Sequence, residues 1–163
     1  MKKKLFYEIM VFQILRRKYI NSQLKNQGLY FGQHLILAYI KKHPKCSQKD
    51  LADYLKVTPA SIAVSTKRLE KNGFVIKDVC EDNLRQNNLE LTQKGIDAIN
   101  ELDCFFKDLD LKALTGISDE EYNLIEQTLD KMIVNYAGTS VDNIDIRSLL
   151  AENREDDEDE KTS

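Results

Sequence analysis

The chain has 163 residues, 42% of them hydrophobic, which suits one core-bearing domain, or one domain with an extension, and no apolar run approaches the ~20 residues of a membrane span. Its net charge of −3 is divided: nine acids against three bases put residues 139–163 at −6, so residues 1–138 carry +3, and residues 1–25 set seven Lys/Arg against Glu8 alone. A basic body with an acidic tail does not exclude a polyanionic partner.

The opening "MKKKLFYEIMVFQILRRKYI" has the cationic start of a signal peptide. Glu8, Gln13 and Arg16–Arg17 interrupt its apolar stretch, however, and no small-residue cleavage site follows, so a cytoplasmic location is expected. Apolar residues at Leu5, Ile9, Phe12, Leu15, Tyr19 and Ile20 recur near the helical period and predict a helix over about 4–25. "NQGLYFG" breaks it, and "QHLILAYIKKH" reads as a short buried helix stopped by Pro44. Ser47, with Asp50 three residues on, is an N-cap for a helix through about Leu55. Thr58 followed by Pro59 is a second helix start, and Asn72–Gly73 a left-handed stop. "FVIKDVC" and "NLELT" are β-rich and flank the polar "EDNLRQN", which predicts two strands joined by a loop. Thr92 caps a further helix, Ser118 and Glu121 form a capping box for the last, and Gly138 ends it. "AENREDDEDEKTS" is too polar and charged to fold alone, so disorder is expected.

The segment "CSQKDLADYLKVTPASIAVSTKRLEKNGF" carries the functional argument. Two helices flank a very short break, and the second holds little of the core. At about 100° per residue, Ile62, Ser65, Thr66 and Leu69 share an inward face. Ala60, Val64, Lys67 and Lys71 point the other way, flanked by Ser61, Ala63 and Arg68. Small side chains where backbone approaches a groove, and cations where phosphates pass, suit a helix that enters a DNA major groove. An ordinary surface helical hairpin is the plainer alternative. The strand pair directly after it reads as a wing, with Arg85 at its tip able to enter a minor groove.

"SQKDLADYLKVTPASIAVSTKRLEKNGFVIK" followed by "DNLRQNNLELTQKG" resembles the MarR family of winged helix–turn–helix regulators. The likeness covers about residues 1–138, since "LYFGQHLILAYI" and "SDEEYNLIEQTLDKM" also look like that family's flanking helices, and it leaves the tail uncovered. It implies a mainly α fold with a small β-hairpin wing, dimeric. Its parts would be an N-terminal dimerisation helix over 1–30, a winged helix–turn–helix over 31–92 and C-terminal dimerisation helices over 93–138, followed by an acidic tail over 139–163 that is expected to be disordered. Two copies would meet adjacent turns of a pseudo-palindromic operator in double-stranded DNA. The expected DNA-facing set is Ser47, Gln48, Thr58, Pro59, Ala60, Ser61, Ala63, Val64, Lys67, Arg68, Lys71, Asn83 and Arg85. Asn83 stands where the family's wing carries an aspartate two residues before its arginine.

Relatives release DNA when a ligand or oxidant alters the spacing of their two heads. Phe12, Tyr19, Tyr30, Phe31 and Tyr39 are candidates to line a pocket for a phenolic or other aromatic effector, with core packing as the competing job. Cys46, Cys80 and Cys104 lie far apart without C-x-x-C spacing and read as inert small residues, and none lies in the first helix, where peroxide-sensing relatives keep theirs. His34 and His43 do not reproduce the zinc pairing of other relatives, so no metal and no cofactor is expected. No catalytic constellation appears: there is no Ser/His/Asp order and no phosphate loop. The expected function is a ligand-responsive repressor on an A·T-rich operator. The alternative is a MarR-like protein-interaction module that has lost DNA binding, which the absent wing aspartate and the acidic tail favour. The tail itself is either an inconsequential solvated terminus or a phosphate mimic acting in cis.

Overall fold

A computed structural model describes residues 3–79 and 87–152. The order is α1 (Lys3–Asn26), α2 (Gln33–Lys42), β1 (Cys46–Ser47), α3 (Gln48–Leu55), α4 (Pro59–Lys71), β2 (Val75–Val79), β3 (Asn87–Leu91), α5 (Gln93–Ala113) and α6 (Asp119–Ala137). The local signals explain the boundaries. Thr58 is extended and its hydroxyl accepts the Ser61 N–H at 3.2 Å, while Pro59 takes the first helical position, where no N–H is needed. Ser118 and Glu121 complete a reciprocal capping box, and Gly138, at φ 70°, closes α6 in the left-handed conformation.

The chain divides into two compact units, one from residues up to 52 with 58–106, the other from 53–57 with residues from 107 on. In the first, Ile36, Leu37 and Ile40 of α2 are buried with Leu51 and Ala52 of α3, Ile62 and Leu69 of α4, and Ile99 and Leu102 of α5. Phe74, Val75 and Leu89 carry this core into the sheet. The sheet is antiparallel in the order β1–β3–β2, with Val75 opposite Leu91 and Lys77 opposite Leu89. Where the sequence suggests two strands there is a third: Cys46 pairs with Leu89 and Ser47 with Asn88, tying the start of α3 to the wing. α1 contributes only its C-terminal end, Ile20 and Leu24, to the core. In the second unit, α6 has no buried residue among those described.

α5 begins against the exit of α4. Thr92 Oγ1 donates to Gly73 O at 2.6 Å and accepts the Gly95 N–H at 3.1 Å, and the Thr92 N–H donates to Phe74 O at 3.1 Å. A Cβ on Gly95 would lie 2.1 Å from Phe74 O, so glycine is required by close approach. Gly95→Ala should therefore destabilise by about 1–3 kcal/mol or more, the scale of an overpacked core. Its thermal midpoint should drop by roughly 5 °C, and an unchanged midpoint would contradict the contact.

Past Gly138 the sequence suggests a disordered tail, but part of it is structured. Val141–Asn143 form a 3-10 turn and residues 146–152 are helical. Local caps by Ser140 and Asp145, not core burial, support these short pieces. Residues 153–163 lie outside the described residues.

Candidate nucleic-acid interface

On α4, Ile62, Thr66 and Leu69 are buried and Ser65 is half-buried, while Ala60, Ser61, Ala63, Val64, Lys67, Arg68 and Lys71 are exposed. Val64 exposes 53% of its surface, an apolar side chain held in the open on the outward face. The break between the helices is short, with Lys56 at φ 52° in the left-handed region. The angle between α3 and α4 is pinned by side chains: Gln48 Nε2 donates to Thr66 Oγ1 at 2.6 Å, and that hydroxyl donates to Ile62 O at 2.8 Å.

This divides the expected DNA-facing set. Ser47 is buried, and its N–H and hydroxyl donate to Asp50 Oδ2 at 2.7 and 2.8 Å, while its Oγ accepts the Asp50 N–H at 3.1 Å. Its side chain is the cap that the sequence predicts, and the Gln48 amide is a brace between helices, so both of these members of the expected DNA-facing set hold bonds within the protein. Those bonds hold the Asp50 carboxyl below the usual carboxylate range, the backbone N–H contributing most. The cap then stabilises α3 above the unfolded aspartate pKa and is lost as pH falls through the lowered value. The Ser61 hydroxyl is 2.9 Å from the Thr58 hydroxyl, so Ser61 too is partly engaged in capping.

The cations differ in freedom as well. Arg68 lies over the Tyr30 ring, 5.5 Å from its centroid, a contact that sequence spacing gives no means to foresee. Lys77 of β2 is paired with Glu70 at 3.0 Å. β2 and β3 form the base of a wing, and its tip, with Asn83, Arg85 and also Cys80, lies outside the described residues.

The profile of the MarR family matches residues 29–86, a span that holds α2 through β2 and ends just before β3. An uncharacterized HTH-type transcriptional regulator of Bacillus subtilis, YybA, is 31% identical over 115 residues, covering 71% of this chain and 77% of the relative. The chain belongs to the MarR family.

The HTH-type transcriptional regulator BilQ of Clostridium symbiosum is similar as well, 29% identical over 114 residues, with 70% of this chain and 79% of BilQ covered. Among solved structures, the S. aureus MepR–DNA complex shares the fold with a TM-score of 0.70 at 20% identity, over 80% of this chain and 98% of that one. A MarR-family regulator from Clostridium acetobutylicum matches at a TM-score of 0.70 and 23% identity, over 81% of this chain and 98% of that one. The winged helix–turn–helix, mainly helical with a small antiparallel sheet, is the MarR fold.

Within this MarR domain an open groove of ≈ 610 Å³ runs beside the α1–α2 connection, lined by Asn21, Leu24, Lys25, Gly28, Leu29, Tyr30, Phe31 and Asn72. Of the five candidate effector-pocket aromatics, Tyr30 and Phe31 line it. Phe12 and Tyr19 are exposed on α1, and Tyr39 packs on His43 with ring centroids 4.5 Å apart. Arg17 lies 4.9 Å from the Phe31 centroid, so cations flank both aromatic walls. Burial, and then the nearby Asp50, push the Cys46 thiol up to about 11, which leaves it protonated and unreactive at neutral pH. His34 sits between Phe31 and Phe106, and burial lowers its pKa, favouring the neutral ring. Among the described residues, no group of three or more His, Cys, Asp or Glu is placed to hold a metal ion, and no helix is long and apolar enough to cross a membrane.

Proposed function

We propose that this chain is a homodimeric, ligand-responsive transcriptional repressor that binds double-stranded DNA through α4 and the wing. The observation that carries the reading is the face of α4: a helix anchored by Ile62, Thr66 and Leu69 presents Ala60, Ala63 and Val64, then Lys67, Arg68 and Lys71, to solvent. MepR, which has the same fold, has been solved with DNA, and this supports the assignment of the face. Dimerisation is supported by α6, which buries none of its residues among those described, and by the exposed apolar side chains of α1. The aromatic groove beside Tyr30 and Phe31 is the proposed effector site, suited to an aromatic ligand with an anionic group near Arg17, Lys25 or Arg68. A gel shift against the DNA upstream of its own gene tests the function. Retardation is expected, and its absence at low salt would favour the interaction-module alternative.

The operator should be rich in A·T and pseudo-palindromic. Ala60, Ala63 and Val64 have no side-chain donors or acceptors and can touch thymine methyls, and Arg85 in a minor groove favours the narrow, negative groove of A-tracts. Val64→Ala should lose about 1 kcal/mol or less at one thymine step, and Arg85→Ala should weaken sites with flanking A-tracts most. Selection from random duplexes that returned G·C-rich half-sites would refute this reading.

A further inference from the structure

Arg68 borders two surfaces at once. At 3.6 residues per turn it stands about 40° round α4 from Val64, on the flank of the outward face. Its exposed guanidinium is turned onto the Tyr30 ring, 5.5 Å from the centroid. The charged residue on the other flank, Glu70, is instead paired with Lys77 of β2 at 3.0 Å. Tyr30 is a fixed platform. Its neighbour Leu29 is buried, and the Tyr30 N–H donates to Oε1 of the buried Gln33 at 2.9 Å. Asn72, which caps α4, donates from Nδ2 to Gly28 O at 3.4 Å and ties the α1–α2 connection to the same helix. The side chains of Tyr30 and Phe31 nevertheless stay open to solvent, at 61% and 58% exposed. The groove they line also holds Lys25 and, among the described residues, no carboxylate. With Arg17 4.9 Å from the Phe31 centroid, two aromatic walls and three cations surround a space that no acid of the lining neutralises.

We propose that Arg68 is shared: an aromatic carboxylate in this groove captures the guanidinium that otherwise holds a DNA phosphate, so that ligand and DNA exclude one another. This rests on the DNA-binding and effector readings above, and it needs no change in the spacing of two heads. An aromatic ring alone holds an exposed guanidinium weakly, so the free protein can give it up to a phosphate. A carboxylate beside the ring adds a planar, charge-assisted pair and keeps it. A dimer that loses Arg68 from both chains loses two phosphate contacts. Its salt slope flattens by about two, and its affinity at ~0.15 M salt falls about 10–20-fold. By linkage, bound DNA lowers the combined affinity of the two grooves for the carboxylate by the same factor.

The test titrates full-length protein with a labelled mixed-sequence duplex, with and without saturating 2-naphthoate, and follows naphthoate binding separately by its own fluorescence. Naphthoate should weaken DNA binding about 10–20-fold and flatten the salt slope by about two. Acetate, which has no ring, and 2-naphthol, which has no carboxylate, should leave both unchanged. Arg68→Ala should bind DNA as weakly as the saturated wild type and should not respond further. Arg68→Lys keeps the charge without the planar fork, so it should retain most of the DNA affinity and lose most of the response. Naphthoate that fails to bind at millimolar concentration overturns the ligand class. Naphthoate that binds without weakening DNA binding overturns the sharing, as does a full response in either Arg68 variant or wild-type DNA affinity in Arg68→Ala. If unliganded wild type fails to bind the duplex at ~50 mM salt while naphthoate still binds, the DNA-binding reading fails, and the sharing with it.

Discussion

Removing residues 1–20 should leave a chain that aggregates or unfolds. Within its own chain α1 buries Ile20 and Leu24, whereas Leu5, Phe6, Met10, Phe12, Ile14 and Leu15 are each about half exposed, between 48% and 59%. Covering the exposed half of six such side chains is worth about 5–9 kcal/mol, half of the ~1.5–3 kcal/mol each gains on full burial, which is comparable with the ~5–15 kcal/mol stability of a typical domain. In the proposed dimer, α1 is intertwined with the C-terminal helices, whose own apolar residues Leu124, Ile125 and Leu129 are exposed in the single chain. Without α1 those residues lose their cover. Light scattering and far-UV circular dichroism would check the outcome, and a soluble, folded monomer from the truncated chain would refute the intertwined arrangement.

Replacing Lys67, Arg68 and Lys71 together by alanine should nearly abolish DNA binding at physiological salt. These side chains are exposed on the outward face of α4, and in the proposed complex they would meet phosphates, which carry affinity but no sequence information. With three per chain in a dimer, six phosphate contacts would be lost. The slope of log affinity against log salt should flatten by about five, and binding at ~0.15 M salt should weaken by roughly 10³–10⁴-fold. The loss should be similar for specific and mixed-sequence duplexes, because phosphates are read without regard to base. A salt slope unchanged from wild type would show that α4 does not meet the backbone. Arg68→Ala alone should also change the groove, since its guanidinium covers the Tyr30 ring.

Much of this arrangement is legible in the sequence because it is written in local chemistry. Thr58–Pro59 and Ser118–Glu121 mark helix starts whatever surrounds them, and the spacing of Ile62, Thr66 and Leu69 gives the buried face of α4 directly. What escapes is non-local. β1 has two residues, too few to show a period, and exists only because Leu89 and Asn88 come alongside. Ser47 was legible as a cap from Asp50, yet its burial, and the Gln48 bond to Thr66, depend on α3 meeting α4. The periodic apolar residues of α1 predict a helix correctly but not how little of it the chain itself buries. The order after α6 was hidden for the opposite reason: its composition is polar, and Arg147 is held both by Asp145, two residues before it, and by the ring of Tyr54, far earlier in the sequence.

The junction at Gly95 has a mechanical consequence. Asn72, Gly73 and Phe74 leave α4 with their carbonyls held by Lys94 Nζ, Thr92 Oγ1 and the Thr92 N–H, and no side chain separates the Gly95 backbone from Phe74. The exit of α4 and the first turn of α5 are therefore clamped together as a crank. Residues 93–106 of α5 make an arm of about 21 Å at 1.5 Å per residue. Tilting that arm by about 10° swings its other end by ~3–4 Å, close to the ~3.4 Å rise of one base step along a strand. In the proposed dimer on its proposed operator, substitutions along α5 that never approach DNA should thus retune the half-site spacing accepted, in steps of about one base pair.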